Sequence, residues 1–189
     1  RLDANQKGLD ILFDSIAEII ELGGQFILLG TGDPVWEDKF KEMQKETSLS
    51  GIVSLNILFD VTLANEIYAA SDFLLIPSRF EPCGLTQMIA MNYGTLPVVH
   101  ETGGLRDSVV DMKNGISFKI YSIEDLSNAI KRSVELFKDK PKYEKMVEDA
   151  YTADFSWDLS AKKYLEMYEN IIKIRKETVE FSESIEEAA

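Results

Sequence analysis

Residues 78–87 read Ser-Arg-Phe-Glu-Pro-Cys-Gly-Leu-Thr-Gln and follow the apolar run Phe73-Leu74-Leu75-Ile76-Pro77. A short apolar run bounded by turn residues fits a buried strand, and the Pro and Gly after it punctuate a turn. A helix is expected to open at Leu85. A strand that turns and enters a helix is the unit of a parallel α/β sheet, and ligands settle beyond the carboxyl ends of such strands. The turn presents Glu81, whose carboxylate can accept hydrogen bonds from hydroxyl groups. The helix start presents unpaired N–H groups and a positive dipole end, both suited to an anion. One turn can therefore hold both halves of a sugar nucleotide.

The alternation continues on both sides. Leu9, Leu12, Phe13, Ile16, Ile19 and Ile20 recur at helical spacing between Gly8 and Leu22, and Gly23-Gly24 ends the pattern. Strands are expected at Gln25–Leu29, Ile52–Leu58, Asp72–Ile76, Leu96–His100 and Gly115–Lys119. Helices are expected at Val35–Lys45, Leu63–Ala70, Leu85–Asn92 and, briefly, Gly103–Val110. Helices then dominate. Ser122-Ile123-Glu124-Asp125 resembles a capping box with Asp in the Glu position and opens a helix to about Phe137. Pro141–Tyr151 and, after a break at Phe155-Ser156-Trp157, Asp158–Ile174 follow. Lys176–Ala189 is acidic and is expected to fray or to extend the last helix.

Strands alternating with helices imply a parallel sheet covered on both faces, and right-handed crossovers make it a doubly wound, Rossmann-like α/β domain. Such a domain opens with a strand, whereas here the first helix begins near Gly8. A strand ending at Arg1 is expected to lie outside the chain. The 189 residues, 45% hydrophobic, suffice for one domain with a full core. The domain is expected over residues 1–175, its last helix from 158, with 176–189 an acidic tail.

Composition excludes several function classes. A net charge of -13 argues against a nucleic-acid partner. No apolar stretch approaches the roughly 20 residues that span a bilayer. Cys83 is the only cysteine, so the chain forms no internal disulfide, which suits a reducing, cytoplasmic setting. His100 is the only histidine, so a zinc site built from the chain is not expected. A lone histidine after Val98-Val99 reads as structural or solvated. Cys83 reads as a small packing residue, with a reactive thiol at a helix start the other reading.

Three further segments bear on chemistry. Arg1 and Lys7 place two cations before the first helix, with Gly8 at its entry. They can meet the negative charge that builds on a diphosphate leaving group, or form an ordinary basic terminus. Gly30-Thr31-Gly32-Asp33 follows a strand but lacks the third glycine of the dinucleotide fingerprint. It reads first as a plain turn, and otherwise as the lining of a nucleotide cleft. Gly103 and Gly104 follow a strand and let the backbone approach a ligand closely, or simply turn the chain into a helix.

Taken together, Arg1-Leu2 with Gln6-Lys7-Gly8-Leu9-Asp10, Pro77–Gln87 and Thr102–Asp107 resemble the glycogen and starch synthases. The string Glu-Pro-Cys-Gly-Leu-Thr-Gln carries most of that resemblance. Related transferases more often have Phe for the Cys and a second Glu eight residues after the first, where this chain has Ile89. The resemblance implies a retaining glucosyltransferase of the GT-B type, with two Rossmann-like domains, of which this chain is the C-terminal one. It implies transfer of glucose from ADP-glucose to the non-reducing end of an α-1,4-glucan, without metal or other cofactor. Arg1 and Lys7 would hold the donor phosphates and Glu81 would face the glucose. Cys83 and Gly84 would lie against the sugar, and Leu85 and Thr86 would give backbone contacts to sugar and phosphate. Phe59 would stack on adenine, where the family often has Tyr. His100 stands where Arg is common, so no role passes to it. The Asp158–Ile174 helix resembles one that crosses back to the N-terminal domain, which is absent here. The isolated chain is therefore expected to be inactive, in the cytoplasm or, in a plant, a plastid. Another retaining transferase using UDP-glucose, or a non-catalytic nucleotide-sugar or glucan-binding module, would share many of these features.

Overall fold

The computed structural model describes residues 1–45 and 49–188, of which 179–188 by backbone only. Ala189, the end of the acidic segment, lies outside the described residues. Contacts divide the chain into two units, Arg1–Ala153 and Asp154–Ala189.

The first unit alternates as the sequence predicts: α1 (Leu9–Glu21), β1 (Phe26–Leu29), α2 (Pro34–Gln44), β2 (Val53–Asn56), α3 (Val61–Ala70) and β3 (Phe73–Ile76). Then come α4 (Thr86–Asn92), β4 (Leu96–His100), α5 (Gly103–Ser108), β5 (Ile116–Phe118), α6 (Ile123–Lys138) and α7 (Lys140–Tyr151). Capping residues set several starts. Asp33 accepts from the N–H groups of Val35 (2.9 Å) and Trp36 (3.4 Å), so the Gly30–Pro34 turn ends in a helix cap. Asp60 accepts from Leu63 N–H at 3.0 Å and starts α3 two residues earlier than its apolar pattern suggests. Ser122 caps α6 through Asp125 N–H (3.1 Å). Asp125 does not complete the expected box, because Ser122 N–H already donates to Ile120 O at 2.8 Å. Its carboxylate takes the Ile120 N–H instead, at 2.9 Å.

Every strand pair is parallel. β1 pairs with β2, placing Phe26 opposite Val53, and β4 lies between β3 and β5. α1 packs on α6 and α4 on α7, while β4 touches α4, α5, α6 and α7. Leu96, Pro97, Val98, Val99 and His100 are all buried, with no alternation, as a strand covered on both faces requires. This is the expected doubly wound α/β layering. The ladder, however, falls into two blocks, β1–β2 and β3–β4–β5. Between them runs the segment Arg1–Gly8, irregular apart from a single bridge of Leu2 to Gly32. Leu2 N–H donates to Thr31 O at 2.8 Å and Asp33 N–H to Leu2 O at 2.7 Å. On the other side Arg79 N–H donates to Gln6 O at 2.8 Å. Gly8, at φ 70, presses on Pro77, where any Cβ would collide with the Pro77 carbonyl.

The free edge of β5 is closed by side chains. Ser117 N–H donates to Asp111 Oδ1 (2.8 Å) and Arg132 Nη1 donates to Ser117 O (3.1 Å). Arg132 also grips both Asp111 oxygens, at 2.6 and 2.7 Å. A charged pair that satisfies the exposed ladder groups blocks pairing with another chain.

The second unit consists chiefly of α8 (Trp157–Ala188). Ser156 starts it by accepting Leu159 N–H at 3.2 Å, so the expected break shrinks to the cap. The helix continues well past Ile174, and the acidic segment through Ala188 extends it. No helix among the described residues is long and apolar enough to cross a membrane.

Candidate active site

The turn after β3 is built around one carboxylate. Glu81 Oε2 receives Lys7 Nζ at 2.6 Å and Ser78 Oγ at 3.2 Å. The Glu81 side chain is 12% exposed and that of Lys7 31%, so the pair is held close with Lys7 keeping access to water. Lys7 reaches it because Gly8 lets the chain entering α1 lie against Pro77. The two charges are 74 positions apart in sequence.

The turn is clamped from three directions. Arg79 pairs with Asp10 at 3.0 Å and lies 4.2 Å over the Tyr121 ring, while the Tyr121 hydroxyl donates to Asp10 at 2.5 Å. From β4, His100 Nδ1 meets Ser78 O at 2.8 Å. From α5, Gly104 N–H donates to Glu81 O at 3.0 Å. A Cβ on Gly103 would strike the Glu81 carbonyl and one on Gly104 the Cys83 carbonyl. Both glycines thus press against the turn itself, which is the close approach their lack of a side chain permits.

Gln87 completes the frame. It is 1% exposed, and its Nε2 donates to Gly84 O (2.9 Å) and Ser108 Oγ (3.0 Å). Ser108 Oγ in turn donates to Gly104 O at 2.7 Å. Gln87→Leu keeps the volume but strands these polar atoms, and a loss of about 1–3 kcal/mol in urea unfolding is expected. An unchanged midpoint would mean that the network stabilises nothing.

Tyr121 gives the clamp a titration. Burial, then the hydrogen bond and charge of Asp10, push its phenol from the ordinary 10.0 up to about 12. A raised folded value means that the stabilisation is complete below the unfolded value near 10 and is lost as pH rises through about 12. The advantage of this chain over Tyr121→Phe in thermal melts should therefore be constant below pH 10 and fade towards pH 12. An advantage that persists undiminished at alkaline pH would contradict this.

Beyond Glu81 the turn opens to solvent. Cys83, Leu85 and Thr86 are exposed, Leu85 by 64%. Among the described residues the N–H groups of Gly84, Leu85 and Thr86 have no hydrogen-bond partner. They stand free at the start of α4, near a carboxylate and a cation.

The other sequence candidates are more dispersed. The Arg1 guanidinium is 72% exposed and pairs with Asp3 at 2.9 Å, rather than joining Lys7 at Glu81. Phe59 follows β2 and is 85% exposed, its ring free to meet a flat partner. Gly30 closes β1, donating its N–H to Asn56 O at 3.0 Å. Gly32 N–H is already taken by Glu37, at 2.9 Å. A separate open cavity of about 750 Å³ borders Asp111, Ser117 and Arg132, whose polar groups are engaged in closing the β5 edge. Among the described residues no group of three His, Cys, Asp or Glu side chains could hold a metal ion. Sequence reasoning did not single out Ser78, Gln87 and Ser108, whose signal is burial of polar groups, which local pattern does not reveal. His100, read as structural or solvated, is structural: it is buried and bonded to Ser78 O.

The fold is one of parallel strands and helices, with a carboxylate, a cation and free N–H groups on the turn after β3, and comparison with known proteins places it in a family. Residues 1–153 match the family of glycosyl transferases group 1, and the chain belongs to that family. It is similar to the glycogen synthase of Thermodesulfovibrio yellowstonii, 46% identical over 171 residues, which are 90% of this chain and 34% of that protein. The glycogen synthase of Thermosipho africanus is 45% identical over 179 residues, 91% of this chain and 36% of its own length. Among solved structures, the catalytic domain of starch synthase IV from Arabidopsis thaliana, bound to ADP and acarbose, superposes with a TM-score of 0.81 at 39% identity. That match covers 88% of this chain and 36% of the other. The chain thus spans about a third of the length of these relatives. The architecture is that of one Rossmann-like domain of a GT-B glycosyltransferase.

Proposed function

We propose that this chain is the donor-binding, C-terminal domain of a glycogen or starch synthase. The whole protein would transfer glucose from ADP-glucose to the non-reducing end of an α-1,4-glucan with retention. The observation that carries this reading is the Lys7–Glu81 pair set beside three unpartnered N–H groups at the start of α4. Glu81 takes the glucose hydroxyls, with Cys83 and Gly84 against the sugar. The N–H groups of Gly84, Leu85 and Thr86, with the Thr86 hydroxyl, take the diphosphate. Lys7 compensates the charge that grows on the departing ADP, and Arg1 joins it by leaving Asp3. Phe59 stacks on adenine and Gly30 borders the nucleotide. Gly103 and Gly104 hold the turn in place. The cations of the chain supply this charge compensation without a cofactor. The acceptor glucan lies against the remainder of the protein, an N-terminal domain, in the cytoplasm or a plastid.

Isothermal calorimetry with ADP, ADP-glucose and UDP-glucose tests this reading. ADP and ADP-glucose should bind, weakly, while the chain alone elongates no glycogen, because half the cleft that orients the acceptor is missing. Tighter binding of UDP-glucose would assign another donor. Absence of ADP binding at millimolar concentration would remove the donor site, and elongation by the chain alone would remove the need for a second domain.

A further inference from the structure

The lone histidine is placed where neither packing nor the proposed donor contacts account for it. His100 ends β4 and is 9% exposed, its ring 5.4 Å from that of Phe118 and 5.5 Å from that of Tyr121. Two aromatic neighbours would be served as well by Phe. What Phe lacks is a donor, and Nδ1 lies 2.8 Å from Ser78 O. A carbonyl oxygen only accepts, so Nδ1 carries the proton and Nε2 of the neutral ring does not. Ser78 is 1% exposed, so its carbonyl has no ready access to water. The same residue holds Glu81 Oε2 through its hydroxyl at 3.2 Å, and the next peptide N–H, that of Arg79, donates to Gln6 O at 2.8 Å. The Ser78–Arg79 peptide is thus fixed at both of its polar ends. If it rotates to find another donor for the Ser78 carbonyl, it shifts the hydroxyl that orients Glu81.

We propose that His100 is a positioning residue: through the Ser78 carbonyl it fixes the turn that aims Glu81 at the sugar of a nucleotide-sugar donor. The inference rests on the donor-site reading above. It adds a residue that touches no ligand and acts chiefly through the sugar end of the site. The diphosphate is met by Lys7 and by N–H groups further along the turn, which Gln87 holds through Gly84 O with no bond to His100.

Two measurements test this. In the chain labelled with ¹⁵N, the single histidine gives one pair of ring nitrogens, and long-range proton–nitrogen spectra should show protonated Nδ1 and bare Nε2. The opposite tautomer would overturn the contact. Calorimetry then compares ADP with ADP-glucose in His100→Phe and His100→Asn. Phe keeps the ring contacts without a donor, whereas the Asn amide nitrogen occupies the place of Nδ1. His100→Phe should lose about tenfold in ADP-glucose affinity and less than about twofold for ADP, with His100→Asn restoring most of the difference. A ratio of the two affinities unchanged in His100→Phe, whatever its melting temperature, would reduce His100 to packing. Asn behaving no better than Phe would do the same. Wild-type chain that binds neither ligand would instead sink the donor-site reading, and this role with it.

Discussion

Glu81→Ala should cost ADP-glucose about tenfold or more in affinity while leaving ADP binding unchanged or slightly tighter. In the proposed donor site, the sugar loses the carboxylate that would accept from its hydroxyls. The diphosphate loses nothing, and gains a Lys7 no longer neutralised at 2.6 Å. Folding should suffer little, because Lys7 is 31% exposed and can turn its ammonium to water rather than remain as a buried lone charge. If the whole protein is the proposed synthase, the same change should lower its turnover as well, because a sugar held less firmly reacts less often from the right position. Parallel titrations with ADP and ADP-glucose give the result. Equal losses for both ligands would mean that Glu81 faces the phosphates and that the site is oriented the other way.

Gly104→Ala should be as damaging, by another route. Its added Cβ would overlap the Cys83 carbonyl, and backbone cannot step aside as the tip of a side chain can. Either the turn lifts from α5, breaking the 3.0 Å bond from Gly104 N–H to Glu81 O, or α5 shifts and disturbs Ser108 and Gln87. Overpacking of this kind costs about 3 kcal/mol. Thermal melts should show the loss, and calorimetry should show ADP-glucose binding gone even where the variant is still folded. A variant with wild-type melting and binding would show that the approach of α5 to the turn is looser than described.

Much of this was readable in the chain. The alternation of apolar runs and helical spacing gave nearly every element, because both periods are local properties of sequence. Glu81 stood out for the same reason: it lies in a short, distinctive string between a strand and a helix. Lys7 was readable as a candidate, but its pairing with Glu81 depends on Gly8 settling against Pro77, a contact across the domain. The buried polar frame was opaque. Gln87 and Ser108 are ordinary residues on short helices until α4 and α5 are brought together. Asp10, Arg79 and Tyr121 meet only in three dimensions. The division of the strands into two blocks was also hidden, since an alternating pattern says nothing of which neighbours share a ladder. The length of α8 was left open, because an acidic stretch without apolar periodicity does not specify its own end.

That division has a dynamic consequence. Residues 1–8 form a seam between β1–β2 and β3–β4–β5, and the seam holds its blocks by a few backbone bonds: those of Leu2 to the Gly32 side and that of Gln6 to Arg79. Both blocks share one buried core, but a ladder interrupted in this way leaves more of its backbone bonds open to local opening. Amide exchange should therefore be slowest in β4, buried along its whole length, and faster in β1–β2. Lys7 belongs to the seam and Glu81 to the larger block, so a ligand that engages both acts as a rivet. Its presence should register as slowed exchange at Leu2 and Arg79, neither of which it needs to touch.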